Sequence, residues 1–213
     1  MSAAGNVKLE GAVATTVDEL LSHAERMFAA QGVENVALTQ IVAASSQKNR
    51  SALHYHFGSR GGVLSAVLDR RLVPINARRH ELLTALPQDA SPRAIVAADI
   101  AALATVVVDE PWGADYLSIL AQVTFHPQLL GDGGVNDEAL SGLRLARRRL
   151  EAAAPHVPPE LLGRRLIWLR DSVVFALARW VRDTPPDLRT AAAMAALTDD
   201  LATYGTAGLL AAP

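Results

Sequence analysis

Val17, Leu20, Leu21, Ala24 and Phe28 fall at i, i+3, i+4, i+7 and i+11, the spacing of one buried stripe along an α-helix. Thr16-Val17-Asp18-Glu19, just ahead of the stripe, has the form of a capping box, and Gly32 is a fitting stop. A short second helix is predicted over residues 38–44, burying Leu38, Ile41 and Val42. Ser45-Ser46-Gln47-Lys48 breaks it, and Asn49 is a good N-cap for a third helix in which Leu53 and Phe57 share a face. None of the three has enough apolar positions to stand alone, so they must pack on one another. The second and third, joined by a tight polar turn, form a helix-turn-helix.

Gly58-Ser59-Arg60-Gly61-Gly62 separates this unit from a longer helix predicted over residues 63–86, with Val63, Leu64, Val67, Leu68, Leu72 and Ile75 on its apolar side. Pro74 lies inside it and is expected to kink or divide it. After the turn at residues 87–90, Ser91-Pro92 reads as N-cap and first residue of a helix reaching about residue 108. Further helices are predicted over residues 114–124, 136–153, 159–182 and 187–210, divided by Gly131-Asp132-Gly133-Gly134 and by two Pro-rich turns. No stretch alternates as a strand should, and no internal repeat occurs. The expected fold is all-α: a flexible arm at 1–14, a helix-turn-helix domain at 15–62 and a larger helical domain at 63–213.

The last two predicted helices differ from the others. Leu162, Leu166, Leu169, Val173, Ala176, Leu177 and Trp180 make one stripe, which Ile167, Trp168, Val174, Phe175 and Val181 widen past a single face. A helix apolar over most of its circumference is buried on two sides. The final helix is rich in Ala, with Gly205 and Gly208 permitting close approach. Together they suit a homodimer interface; the plainer reading is that both fill a monomeric core.

Composition narrows the classes. Half of the 213 residues are hydrophobic but only 5% are aromatic, which favours helices. With no cysteine there is no disulfide, thiolate metal site or cysteine nucleophile. No apolar run approaches the roughly 20 residues that span a bilayer, and the N-terminus lacks the basic start and apolar core of a signal peptide. A cytoplasmic protein without membrane association is expected. No nucleophile elbow, phosphate-binding loop, zinc-binding His-Glu-x-x-His or acidic cluster of metal spacing is present, so neither enzymatic activity nor a cofactor is expected.

Charge changes the picture locally. The chain has 22 Asp+Glu against 20 Lys+Arg, yet no acidic residue lies between Glu34 and Asp69. Within that gap fall Lys48, Arg50 and Arg60, with Asn, Gln, Ser, Tyr and His side chains suited to phosphates and base edges. His54-x-His56 is not a metal site, because helical residues two apart point to different faces. Arg147-Arg148-Arg149 reads as a solvated face, with a second nucleic-acid patch as the alternative.

The segment from Val17 to Leu72 resembles the N-terminal domain of the TetR (tetracycline-repressor-like) family of transcriptional regulators. The resemblance rests on Ala24-Glu25-Arg26-Met27-Phe28-Ala29-Ala30-Gln31-Gly32, on Leu38-Thr39-Gln40-Ile41-Val42-Ala43, and above all on Ser51-Ala52-Leu53-His54-Tyr55-His56-Phe57, which is similar to the family's Leu-Tyr-Tyr-His-Phe signature. Three positions depart from the pattern: Ala37 replaces a hydroxyl cap, Ser46 a turn glycine and His54 the first tyrosine. The resemblance implies a homodimer, formed through the last two helices, on a roughly palindromic double-stranded DNA operator. Base contacts would come from Arg50, Ser51, His54 and Gln40, and phosphate contacts from Thr39, Lys48, Tyr55, His56 and Arg60, with Asn49 capping the recognition helix. It also implies a repressor released by a small apolar effector bound in the C-terminal domain. Candidate pocket residues are Trp112, Tyr116, Gln122, Phe125, His126, Trp168, Asp171 and Phe175, aromatics with a few polar groups; the alternative is that they fill a core. The competing functions are a helical ligand-binding or interaction protein without DNA binding, and a helical enzyme.

Overall fold

The computed structural model describes residues 3–44, 57–131 and 133–212, with side chains from residue 17 onward. Nine α-helices run through the described residues, and none of these residues is in a strand. They are α1 (Ala3–Gln31), α2 (Leu38–Ala44), α3 (Arg60–Ala85), α4 (Pro92–Ala104), α5 (Val106–Asp109), α6 (Gly113–Phe125), α7 (Ser141–Ala153), α8 (Pro159–Asp183) and α9 (Ala191–Leu210). The predicted turn at Ser45-Ser46-Gln47-Lys48 and the helix capped by Asn49 lie outside the described residues.

Helix α1 lays the predicted stripe inward: Leu20, Leu21, Ala24 and Phe28 are buried. It begins well before the capping box, at Ala3, so Thr16 is helical rather than a cap. The alanines ahead of it are strong helix formers and no proline interrupts them. Helix α2 shows how a missing hydroxyl is replaced. Ala37 holds the N-cap position, and the Gln40 Oε1 reaches back to accept from the Ala37 N–H at 2.7 Å, one half of a capping box.

Helix α3 starts at Arg60, three residues earlier than its apolar pattern predicts, because Ser59 caps it by accepting from the Gly62 N–H. Its first turn needs glycine. A Cβ on Gly61 would lie 2.3 Å from the Leu130 carbonyl oxygen, and one on Gly62 would lie 2.0 Å from that of Phe57. Pro74 does not divide the helix, which is continuous to Ala85. Pro74 and Val73 face solvent, where water can take up the carbonyl that proline leaves unbonded.

The remaining boundaries shift where a cap or a tight turn outcompetes apolar periodicity. Ser91 caps α4 by accepting from Ala94 N–H, with Pro92 at the first helical position as expected. Helix α4 stops at Ala104 and the short α5 follows, and residues 137–140 form a 3-10 turn ahead of α7. Helix α9 starts at Ala191 because Thr190 caps it, leaving Pro186–Leu188 as a separate turn.

Helices α3, α4, α6, α7, α8 and α9 make a bundle: α4 lies between α3 and α9, while α6 lies between α1 and α8. One hydrophobic core runs without a break from Leu20 and Phe28 through Leu64 and Leu68 to Leu166 and Leu177. The N-terminal helices are therefore seated on the bundle rather than tethered to it. Among the described residues no helix is long and apolar enough to cross a membrane.

Candidate functional site

Three of the predicted nucleic-acid contacts are on described elements. Thr39 and Gln40 are exposed on α2, and the Gln40 amide oxygen is occupied by the cap. Arg60 is half-buried at the start of α3, where its Nη1 donates to the Glu34 carbonyl at 2.7 Å and ties α3 to the turn after α1. Lys48, Asn49, Arg50, Ser51, His54, Tyr55 and His56 lie outside the described residues.

Between the bundle helices there is a cavity of about 230 Å³. Aliphatic side chains make up most of its wall, among them Leu72, Ile75, Ile100, Leu120, Leu143 and Leu166. Four charged residues and a phenol interrupt that wall: Arg79, Asp99, Arg170, Asp171 and Tyr116. Arg79 is 5% exposed, and its Nε donates to Asp99 Oδ1 at 2.6 Å. Arg170 Nη2 reaches the other Asp99 oxygen at 3.5 Å and donates to the Leu143 carbonyl at 3.0 Å. Two guanidiniums thus share one buried carboxylate. Three donors in this group, Arg79 Nη1, Arg170 Nε and the Tyr116 hydroxyl, are buried without a hydrogen-bond partner among the described residues. Burial pushes the Tyr116 phenol well above its ordinary value, against an opposing pull from Arg79, so it stays a neutral donor. Burial alone raises the Asp171 carboxyl.

A second polar chain leads from this wall to α1. Tyr116 meets Trp112 edge-on at 6.0 Å, and the Arg71 guanidinium lies 4.4 Å from the centre of the Trp112 ring. Arg71 Nε in turn donates to both oxygens of Glu25, at 2.8 and 3.1 Å. Glu25 belongs to α1, Arg71 to α3 and Tyr116 to α6, so three helices are cross-linked beside the cavity.

No protein-family profile and no curated protein matches the sequence. Among solved structures, the fatty acid degradation regulator FadR from Bacillus halodurans is similar with a TM-score of 0.62 at 13% identity, over 90% of this chain and 94% of that one. The TetR family transcriptional regulator PfmR from Thermus thermophilus is similar with a TM-score of 0.52 at 16% identity, over 89% of this chain and 96% of that one. The fold is TetR-like.

Within this TetR-like fold the predicted pocket residues separate. Tyr116 and Asp171 line the cavity. Trp112 belongs to the cross-link, outside the cavity wall. Gln122 ties α6 to the end of α1, accepting from the Val33 N–H at 2.8 Å and donating to the Phe28 carbonyl at 3.4 Å. Phe175 lines a more open groove between α1, α6 and α8 and packs edge-on against Phe125 at 4.8 Å. Phe125 and Trp168 are 68% and 59% exposed, and His126 is exposed at the end of α6. Trp168 and Tyr204 border one groove between α8 and α9, and Ile167, next to Trp168 on α8, is also exposed.

Sequence reading missed Arg79, Asp99 and Arg170. A signal for the first two was present: Arg79 stands four residues from Ile75 and from Leu83, and Asp99 four residues from Ile95 and from Leu103. All four aliphatics are buried, so each charge sits inside an apolar stripe.

Proposed function

We propose that this chain is a ligand-responsive, DNA-binding transcriptional regulator, a repressor that leaves a palindromic operator when a small effector occupies the cavity. The observation that carries this reading is the continuity of α3. At its N-terminus Arg60 adjoins the segment of residues 47–56 predicted to read DNA, and along its length Leu72, Ile75 and Arg79 wall the cavity. At 1.5 Å per residue, the helical path from Arg60 to Arg79 is about 28 Å long. A ligand that shifts the cavity end of α3 therefore shifts the end beside the reading segment, and in a dimer it changes the spacing of the two reading heads. A coupling of about 1–3 kcal/mol corresponds to a 5- to 150-fold loss of operator affinity.

The DNA-binding unit is residues 15–62 and the ligand-binding and dimerisation unit residues 63–213. Base contacts come from Arg50, Ser51 and His54, and phosphate contacts from Thr39, Lys48, Tyr55 and His56. Because Arg60 already holds the Glu34 carbonyl, it reaches a phosphate with its other guanidinium nitrogens. The homodimer forms through α8 and α9, and the exposed Trp168 and Tyr204 support that choice, since they border one groove between these two helices.

A gel shift on fragments of the gene's own promoter region, titrated with salt, tests the reading. Binding at low salt that falls steeply as salt rises is expected, because each neutralised phosphate releases counterions. Arg50→Ala should relax sequence preference, whereas Lys48→Ala should weaken binding on all sequences alike. A folded protein that binds no such fragment at low salt would leave only the ligand-binding reading.

A further inference from the structure

We propose that the cavity ligand is a small monoanionic acid, an apolar body carrying one carboxylate that is received by Arg79, Arg170 and Tyr116. This rests on the reading of the cavity as the effector site and names the effector's chemistry.

Charge counting comes first. Among the described residues the ion pairs at this wall are Arg79–Asp99 and Arg170–Asp99, so two cations meet one anion. Asp171 lines the same cavity but, among the described residues, makes no ion pair with either arginine. The cluster of Arg79, Arg170 and Asp99 therefore sets two cations on one carboxylate, with Arg79 buried and Arg170 partly exposed. A negative charge brought by a ligand against the two guanidiniums restores the balance of that cluster, while an amine would worsen it.

Hydrogen bonding points the same way. The unpartnered atoms are Arg79 Nη1, Arg170 Nε and the Tyr116 hydroxyl. Each can donate, and guanidinium nitrogens can only donate. What satisfies a set of donors is a group that only accepts, and an ionised carboxylate does so through two oxygens. Each donor atom is closed off from water. The head group thus reaches them only as the cavity wall adjusts, and that adjustment involves α3 through Arg79, α6 through Tyr116 and α8 through Arg170.

Size fixes the body. The cavity measures about 230 Å³. A 150 Å³ apolar cavity accepts benzene, so this one takes roughly nine or ten non-hydrogen atoms in all. The aliphatic wall selects an apolar remainder, linear or aromatic.

Calorimetric titration of the DNA-free protein at neutral pH tests this with phenylacetate and octanoate, each against its alcohol, 2-phenylethanol and octan-1-ol. At least one acid is expected to bind about 10- to 100-fold more tightly than its alcohol, the usual advantage of a hydrogen bond to a charged group. Arg170→Gln, at a partly exposed position, should remove most of that advantage and leave the alcohol's affinity unchanged. If Arg170→Gln does not fold, Tyr116→Phe serves, since no native hydrogen bond is lost with that hydroxyl. Equal binding of acid and alcohol, or no binding of either acid, overturns the proposal, as does an acid advantage that survives both substitutions. Adding the bound acid to the gel shift separates the two readings. An acid that binds as described but leaves the DNA complex untouched upholds the ligand assignment and sinks the regulatory one.

Discussion

Arg71 and Arg79 stand on the same helix, and each reaches a buried carboxylate on a neighbouring one. Arg71 meets Glu25 with two nitrogens, one guanidinium to one carboxylate, and the Trp112 ring covers the cation. Arg79 meets Asp99 with Nε, keeps Nη1 unpartnered, and shares its carboxylate with Arg170. The first arrangement is closed: one cation meets one anion, and neither side chain is among the described ones that keep a buried polar atom without a partner. The second sets two cations on one carboxylate and leaves three donors open. A closed pair joins α1 to α3 and holds the N-terminal unit on the bundle, while an open one stores an unmet demand beside a cavity. The same chemistry thus builds a joint at one site and a receptor at the other.

Breaking each pair from its acidic side should expose the difference. Asp99→Ala strands the buried Arg79 and unpairs the partly exposed Arg170 at once, and a loss of about 5 kcal/mol, the upper end for a broken buried pair, is expected in urea unfolding. Glu25→Ala strands only Arg71, which keeps the Trp112 ring, so a loss of about 3 kcal/mol is expected by the same measurement. Equal losses would mean that the cavity group is not overcharged. Removing a donor sharpens the comparison with an opposite sign. Tyr116→Phe should raise stability by about 1 kcal/mol, because it deletes a buried hydroxyl that has no partner among the described residues. That gain should accompany weaker acid binding, whereas a merely structural tyrosine would lose stability. Beside the closed pair, Trp112→Leu should cost about 1 kcal/mol beyond its lost packing, through the cation–π contact, and leave acid affinity unchanged.

Much of the fold was legible because helical stripes are local. Leu20, Leu21, Ala24 and Phe28 are buried as their spacing predicts, and Ser91-Pro92 opens α4. Helix ends were less legible where a cap competes with periodicity, as Ser59 and Thr190 do. The cavity was the hardest feature to read. Its wall comes from aliphatic residues on α3, α4, α6, α7 and α8, whose convergence is tertiary, while the sequence draws attention to aromatics. Phe125 and Trp168 are exposed on parts of α6 and α8 that the other described helices leave largely open, although Phe125 keeps an edge-on contact with Phe175. The resemblance of residues 17–72 to TetR-family regulators agrees with the fold of the whole chain, although no sequence profile detects it.

The central claim is that filling the open group beside α3 alters DNA binding. Fluorescence anisotropy of a labelled promoter fragment, held at constant salt and titrated with phenylacetate or octanoate, measures it directly. Release of the fragment by an acid at 5-fold or greater loss of affinity, with no release by the matching alcohol, is the result predicted from a coupling of about 1–3 kcal/mol. A complex that stays intact while the cavity is saturated with a bound acid would contradict it.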